Sequence, residues 1–202
     1  MPKIVDHEAR RGELAEAVWR LASRDGLEAV TLRGVAAEAG WSTGALCHYF
    51  RDKEELLLFA FQITAGRVGR RLAAAAKASS EPLELARILL AEGLPLDAER
   101  RAEVRVWFAF LGLALTRPEL ASAQREAYRA WRGWLARTLR EAQERGQVDP
   151  ALDAEREATG LVALVDGLAV QASFEPRALS GARQLELLDE GLARLSAPPA
   201  IS

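Results

Sequence analysis

Residues 31–53 read TLRGVAAEAGWSTGALCHYFRDK, and they indicate the architecture of the N-terminal part of the chain. Thr31 is a suitable N-cap for a short helix over residues 32–39, and Ser42 is a suitable N-cap for a second one. Gly40 breaks the first helix, so a tight turn is predicted between the two. Two short helices joined by such a turn form a helix-turn-helix, whose second helix enters the major groove of DNA.

The spacing within the second helix separates an inner face from an outer face. Leu46 and Phe50 lie four residues apart, and both are predicted to pack against Val35 and Ala36 of the first helix. Trp41, next to the glycine break, is predicted to be a hydrophobic plug. The outer face then carries Gly44, Cys47, His48 and Arg51.

Residues 39–57, AGWSTGALCHYFRDKEELL, resemble the signature of the TetR family of bacterial transcriptional regulators. That signature runs alanine-glycine, a hydrophobe, serine, x, glycine, x, leucine, tyrosine, x, histidine, phenylalanine, x, x, lysine, glutamate, x, leucine. Cys47 stands where tyrosine is usual and Tyr49 where histidine is usual, a variant similar to members of the BetI-like branch. Residues 164–171, LVDGLAVQ, and residues 174–176, FEP, also resemble that branch.

The resemblance implies a DNA-binding surface on the N-terminal domain. His48 is expected to lie at mid-helix, point outward and read a base edge, whereas the other residues position the DNA backbone. Lys53 begins the next helix, where its ammonium and the helix N-terminus can hold one phosphate together. Arg10 and Arg11 either touch phosphates or only solubilise the first helix. The implied surface consists of Arg33, Ser42, Thr43, Gly44, His48, Tyr49 and Lys53.

Helical spacing recurs along the whole chain, and no run of residues alternates as a half-buried strand does. The predicted fold class is therefore all-α. It has an N-terminal three-helix helix-turn-helix DNA-binding domain over residues 1–53, a connector helix over 53–77, and a C-terminal helical ligand-binding and dimerisation domain over 78–202. The boundary is placed at residues 79–82, SSEP. Further helices are predicted at about 83–93, 99–116, 119–146, 154–174 and 181–196, and the tail over 197–202 is expected to fray.

Large aromatic side chains on two neighbouring helices of the C-terminal domain are predicted to line a site for a small molecule. Apolar sites with a few polar groups are the usual form of such sites. Packed core is the alternative for each aromatic, and a cationic ligand would gain from the tryptophan faces. The predicted ligand-binding residues are Trp107, Phe108, Leu111, Trp131 and Trp134.

The helix predicted over 154–174 is apolar or small on both faces, which indicates burial on both. One face is predicted to join the core of the subunit and the other to meet a second copy, with glycines that permit close approach. This helix and the last one resemble the dimer-forming pair of the TetR family. The predicted interface residues of the homodimer are Gly160, Leu164, Gly167, Gln171, Leu188 and Leu192.

Composition limits the function classes without deciding among them. The net charge is −2, and residues 1–70 contain ten basic and ten acidic side chains, so the total charge does not indicate DNA binding. The single cysteine, Cys47, forms no internal disulfide and is predicted to be a space-filler. No stretch resembles the apolar core of a signal peptide or reaches the length of a membrane span, and a cytoplasmic location is expected. His7 and His48 lack the spacing of metal ligands, so neither a metal nor a cofactor is expected.

These observations predict a ligand-responsive transcriptional regulator and not an enzyme. The expected mode is repression, in which a homodimer binds a palindromic double-stranded DNA operator and a small-molecule inducer of unknown identity releases it. Two alternatives remain open. One is a helical enzyme with an unmarked site, and the other is a helical ligand-binding or scaffold dimer that has lost DNA binding.

Overall fold

The computed structural model describes residues 7–196 of the 202-residue chain, and this part contains nine α-helices. The described residues form no β-strand, only an isolated bridge between Val148 and Ser196, so the predicted all-α class is confirmed. The predicted tail over 197–202 lies outside the described residues. The helices are α1 (His7–Asp25), α2 (Leu32–Ala39), α3 (Thr43–Leu46), α4 (Lys53–Ala78), α5 (Pro82–Ala91), α6 (Ala98–Ala114), α7 (Pro118–Glu144), α8 (Ala154–Phe174) and α9 (Gly181–Ala193).

The helices form two compact units. Unit 1 contains the described residues up to Arg67 together with Arg105–Gln124, and unit 2 contains Val68–Val104 with the described residues from Arg125 onward. Three helices, α4, α6 and α7, therefore contribute residues to both units. This division differs from the predicted domains, because the SSEP turn at 79–82 lies wholly inside unit 2.

The core of unit 1 begins with the inner stripe of α1. Leu14, Val18 and Leu21 lie on this stripe at helical spacing and are buried. Gly26 follows α1 with φ of 84°, a left-handed conformation that glycine adopts without the penalty of a Cβ atom. The chain can therefore reverse and place α2 in contact with α1.

The core of unit 2 is built mainly where α5, α8 and α9 contact one another. The buried stripe of α8 includes Leu161, Val165 and Leu168, as its helical spacing predicts. Gly93 lets the chain approach very closely here, because a Cβ atom at this position would lie 2.6 Å from Val165 Cγ1 and 2.9 Å from Trp131 Cη2. Any larger residue at position 93 would have to displace one of these side chains.

Candidate nucleic-acid interface and ligand region

The two helices of the helix-turn-helix are capped as the sequence predicts. Thr31 Oγ1 accepts a 3.0 Å hydrogen bond from the Gly34 amide, and Ser42 Oγ accepts a 3.1 Å hydrogen bond from the Ala45 amide. Gly40, with φ of 71°, ends α2 in the left-handed conformation. These local bonds fix where α2 ends and where α3 begins.

The inner face of the motif is confirmed. Leu46 and Val35 are fully buried, and Ala36 and Phe50 are 2% and 6% exposed. The Phe50 ring also contacts the ring of Phe59 on α4, with centroids 5.1 Å apart. The motif is therefore held by apolar packing to α4 as well as between its own helices.

The helix after the turn is shorter than predicted. Its regular part ends at Leu46, and residues 47–49 form turns in which the His48 amide donates to Ala45 O at 3.3 Å and the Tyr49 amide to Leu46 O at 2.9 Å. The prediction that His48 lies at mid-helix is wrong, because the chain leaves α3 one turn earlier. Its side chain is nevertheless exposed, as predicted.

The residues of the predicted DNA surface are almost all open to solvent. Only Tyr49 is half-buried, and a Cβ atom added at Gly44 would meet nothing within 4 Å. The outer face of α3 thus offers room for a nucleic-acid backbone, although its contacts with DNA remain a prediction. The exposed members are Arg33, Ser42, Thr43, Gly44, His48 and Lys53.

Two arginines of α1 lie over aromatic rings of the same unit. The guanidinium carbon of Arg10 is 5.3 Å from the centroid of the Trp41 ring, and that of Arg11 is 5.5 Å from the centroid of Phe59. Trp41 also meets Tyr49 edge to face, with centroids 5.5 Å apart and planes at 63°. Trp41 is only partly buried, so the predicted plug keeps an open side.

Several acidic side chains of unit 1 form ion pairs with arginines other than those of the predicted surface. Glu38 accepts hydrogen bonds from Arg20 and Arg24 at 2.9 and 3.1 Å, and these bonds lower the pKa of its carboxyl. By contrast, no carboxylate of the described residues forms an ion pair with Arg33 or Lys53. The further pairs in unit 1 are Arg24–Asp25, Arg51–Glu55, Arg67–Glu16 and Arg117–Glu54.

Unit 2 contains a buried ion-pair network that the sequence analysis missed. Arg71 forms a bidentate pair with Glu103 and a 2.6 Å hydrogen bond with Glu92. The side chain of Glu103 is 4% exposed and that of Glu92 is 6% exposed. The hydrogen bonds of Glu103 raise the pKa of Arg71 above its usual range. Arg100 donates to the other carboxylate oxygen of Glu92, Oε1, and also donates to Asp97. No sequence signal marks this network, because its members are separated by 21 and 32 residues.

The five predicted ligand-binding residues are divided between the two units. Trp107, Phe108 and Leu111 belong to unit 1, where the Trp107 ring lies 5.3 Å from that of Phe61. Trp131 and Trp134 belong to unit 2 and pack against its core. All five are partly buried, and their joint role in ligand binding remains a prediction.

A polar pair on α7 and α8 was also missed. The Tyr128 hydroxyl donates a 2.7 Å hydrogen bond to Asp166 Oδ2. Burial raises the pKa of the Asp166 carboxyl, and the hydrogen bond from Tyr128 opposes that shift. The available signal was a single acidic residue inside the otherwise apolar stretch 161–172.

The predicted dimer residues do not all lie on the surface. Gly160 and Gln171 are exposed and Gly167 is partly exposed, whereas Leu188 and Leu192 are 0% and 5% exposed within their own chain. The two leucines lie on the side of α9 that packs against the core of unit 2, so only the exposed members can meet a second copy. The Leu164 side chain packs close to α9, because a Cβ atom added at Gly191 would lie only 2.9 Å from Leu164 Cδ2.

Two kinds of feature are not found among the described residues. Over residues 7–196, no helix combines the length and apolar character that crossing a membrane requires. Within the same range, no group of three His, Cys, Asp or Glu side chains is placed to hold a metal ion.

Comparison with known families identifies the class of protein that this architecture defines. The model of the bacterial regulatory proteins of the tetR family matches residues 14–59, and the model of the BetI-type transcriptional repressor C-terminal region matches residues 82–197. The chain belongs to the TetR family of transcriptional regulators, with a C-terminal region of the BetI type. Both resemblances seen in the sequence are thus confirmed.

Individual relatives support the same assignment. The chain is 37% identical to the HTH-type transcriptional regulator PksA of Bacillus subtilis over 87% of its length and 84% of the relative's. It is 33% identical to the HTH-type transcriptional regulator BetI of Burkholderia mallei, over 98% of this chain and 99% of the relative. These families and relatives are transcriptional regulators and not enzymes, which agrees with the class of protein predicted from the sequence.

A solved structure from Saccharomonospora viridis matches with a TM-score of 0.83 and 27% identity, covering 92% of this chain and 96% of that one. It is a putative transcriptional regulator in complex with choline.

Proposed function

We propose that the chain is a repressor that binds a palindromic operator as a homodimer and is released by a small-molecule inducer. The observation that carries the proposal is the state of the charges around α3. Arg33 and Lys53 are exposed and have no carboxylate partner among the described residues, whereas neighbouring arginines are paired. Unpaired cations beside a helix-turn-helix supply the phosphate contacts on which DNA affinity depends.

The exposed face of α8 supports a homodimer. Val170 and Phe174 are 38% and 83% exposed, and a Cβ atom at Gly160 or Gly167 would meet nothing within 4 Å. An exposed helix face of apolar and small residues can approach its own copy closely and bury its apolar surface. Two copies related by a two-fold axis would then read the two halves of a palindrome.

The inducer is proposed to be a small organic cation. Asp166 is a partly buried carboxylate whose pKa burial raises, so a cation beside it would recover the interaction that burial removes. Trp131, one turn from Tyr128 on α7, supplies an aromatic face in the same unit. The similar regulator in complex with choline is consistent with this class of ligand.

Release requires that the inducer bind one conformer better than another. A ligand with equal affinity for the operator-binding conformer and the free conformer would shift nothing. The proposed cation therefore favours a dimer geometry in which the two helix-turn-helix motifs do not fit into successive major grooves of the operator. Since the proposed operator is chromosomal DNA, the proposal also places the chain in the cytoplasm.

The operator is tested with fluorescence anisotropy on the DNA immediately upstream of the gene that encodes the chain. Wild type is expected to bind a palindromic segment tightly, with an affinity that falls steeply with salt. The double variant His48→Ala, Lys53→Ala is expected to lose this binding while keeping the wild-type Tm. If wild type binds neither this DNA nor genomic fragments, the repressor proposal fails and the non-DNA-binding scaffold is favoured.

The inducer class is tested by the shift of Tm on adding choline, with 3,3-dimethyl-1-butanol as a neutral compound of the same shape. Choline is expected to raise Tm and weaken operator binding, whereas the neutral compound does neither. The variant Asp166→Asn is expected to lose the response to choline while still binding the operator. Equal shifts with both compounds would contradict a site for a cation.

A further inference from the structure

We propose that Arg10 of α1 binds a DNA phosphate beside α3 and that Trp41 is the residue that positions Arg10. The inference rests on the proposed DNA-binding function and adds a contact from outside the helix-turn-helix. Neither residue belongs to the surface that the family signature implies, because Arg10 precedes the signature and Trp41 occupies its variable hydrophobic position.

The geometry places the Arg10 guanidinium at the start of α3. Its carbon lies 5.3 Å from the centroid of the Trp41 ring, and Trp41 immediately precedes Ser42, the N-cap of α3. The Trp41 ring in turn meets the Tyr49 ring, which follows α3, at 5.5 Å and 63°. A continuous set of contacts therefore links the two ends of α3 through Arg10, Trp41 and Tyr49.

Its position over the ring leaves the guanidinium of Arg10 able to bind an anion. The five N–H donors of arginine lie in the guanidinium plane, so contact between its face and a ring does not consume them. A free arginine side chain on a helix surface samples many rotamers, and ordering it costs part of the energy of the contact it makes. The Trp41 ring restricts these rotamers before DNA arrives, which is what makes it a positioning residue.

Arg10 differs in this respect from another arginine on the same helix. Arg20 forms a 2.9 Å ion pair with Glu38, whereas no carboxylate of the described residues pairs with Arg10. Ten residues separate the two, which is about 15 Å along a helix. Arg20 is therefore a matched control, since its removal takes one positive charge from α1 at a distance from Trp41.

The test uses the full chain and a DNA duplex that wild type selects from a random double-stranded library. Arg10→Ala is expected to weaken binding about ten-fold, the size of a charge-assisted hydrogen bond. It is also expected to reduce the slope of log affinity against log salt by about 0.9, the loss of one phosphate contact. Arg20→Ala is expected to leave the slope at its wild-type value.

The positioning role of Trp41 is tested by a double-mutant cycle. Trp41→Leu keeps an apolar side chain but removes the ring, and we expect Arg10→Ala to cause a much smaller loss in that background than in wild type. Trp41→Phe restores an aromatic face and is expected to recover most of the affinity. Tm is measured for each variant, so that a loss of affinity in folded protein is separated from unfolding.

Three results would overturn the inference, and they are distinguishable. An unchanged affinity and salt slope in Arg10→Ala would show that Arg10 touches no phosphate. Additive losses from Arg10→Ala and Trp41→Leu would show that Trp41 does not act through Arg10. A wild-type chain that enriches no duplex at all would overturn the proposed function together with this contact.

Discussion

Unit 1 leaves basic side chains unpaired on its surface, whereas unit 2 buries acidic side chains and pairs them. Arg33 and Lys53 of unit 1 are exposed, and the described residues offer them no carboxylate partner. In unit 2, the side chains of Glu92 and Glu103 are 6% and 4% exposed and are bound by Arg71. In unit 2 such pairs form part of the internal architecture, whereas in unit 1 these unpaired cations lie beside the proposed DNA-binding helix.

The difference shows why the net charge of −2 says little about this protein. An ion pair adds nothing to the net charge and little to the field outside the molecule, whether it is buried or at the surface. Unpaired, exposed charges are the ones available to a partner. Their position around α3, and not their number, is what fits a polyanion.

The largest effect is expected from breaking the buried network. Arg71→Met would leave the Glu103 carboxylate buried without its bidentate partner and is expected to lower the free energy of unfolding by about 3 kcal/mol. Arg87→Met is the control, because the Arg87–Asp189 pair is 34% and 47% exposed and its loss should cost under about 1 kcal/mol. Urea denaturation measures both, and equal losses would mean that burial does not distinguish the two pairs.

A smaller effect, on DNA affinity only, is expected at the surface of unit 1. Arg33→Ala should weaken operator binding about ten-fold, or roughly 1.4 kcal/mol, and reduce the salt slope by about 0.9. Its Tm should not change, because Arg33 is exposed and has no ion-pair partner among the described residues. Arg24→Ala removes an arginine that is paired with Asp25 and Glu38 and should leave the slope unchanged. A wild-type slope in Arg33→Ala would remove it from the interface.

Two glycines of the helix-turn-helix separate backbone conformation from surface contact. Gly40 has φ of 71°, so Gly40→Ala is expected to lower stability by about 1 kcal/mol. Gly44 lies within α3 with open space where a Cβ atom would be, so Gly44→Ala should leave Tm equal or slightly higher. It should still weaken operator binding, since the added methyl would lie on the proposed DNA-binding surface. Thermal unfolding and anisotropy together distinguish the two variants.

The smallest effect concerns the pH dependence of stability at Asp166. Burial raises the pKa of this carboxyl in the folded chain, so the folded state holds the proton more tightly than the unfolded state. Its stabilising contribution is fully present below the ordinary pKa near 3.8 and is lost as pH rises through the raised value. Asp166→Asn should therefore flatten the fall of Tm between acidic and neutral pH, and an unchanged profile would contradict the shift.

Local chemistry made much of the fold predictable. Thr31 and Ser42 cap α2 and α3 through bonds that span three residues, and Gly40 ends α2 where its flexibility is needed. Such interactions depend only on neighbours in the sequence. The solvent-exposed face of the motif could be predicted from the apolar residues Leu46 and Phe50, which are buried. Once the buried face of a helix is known, helical geometry fixes which residues lie on the opposite face.

Interactions between distant segments were not predictable in the same way. Nothing in the sequence indicates that Arg71 meets Glu103, or that Arg10 lies over Trp41, because many arginines and many acids compete for each pairing. The prediction that Leu188 and Leu192 face a partner rests on periodicity, which shows that a helix has an apolar face but not which neighbour covers it. Packing against α8 and α5 decides that, and it places both in the core.

The position of Glu38 between Arg20 and Arg24 affects how the proposed repressor would find its site. A chromosome offers roughly a million to a billion competing segments, and a uniformly cationic protein would spend its time on arbitrary ones. Cancelling these arginines lowers that competition without removing any residue of the predicted operator contact. Fewer copies of the protein per cell would then keep one operator occupied.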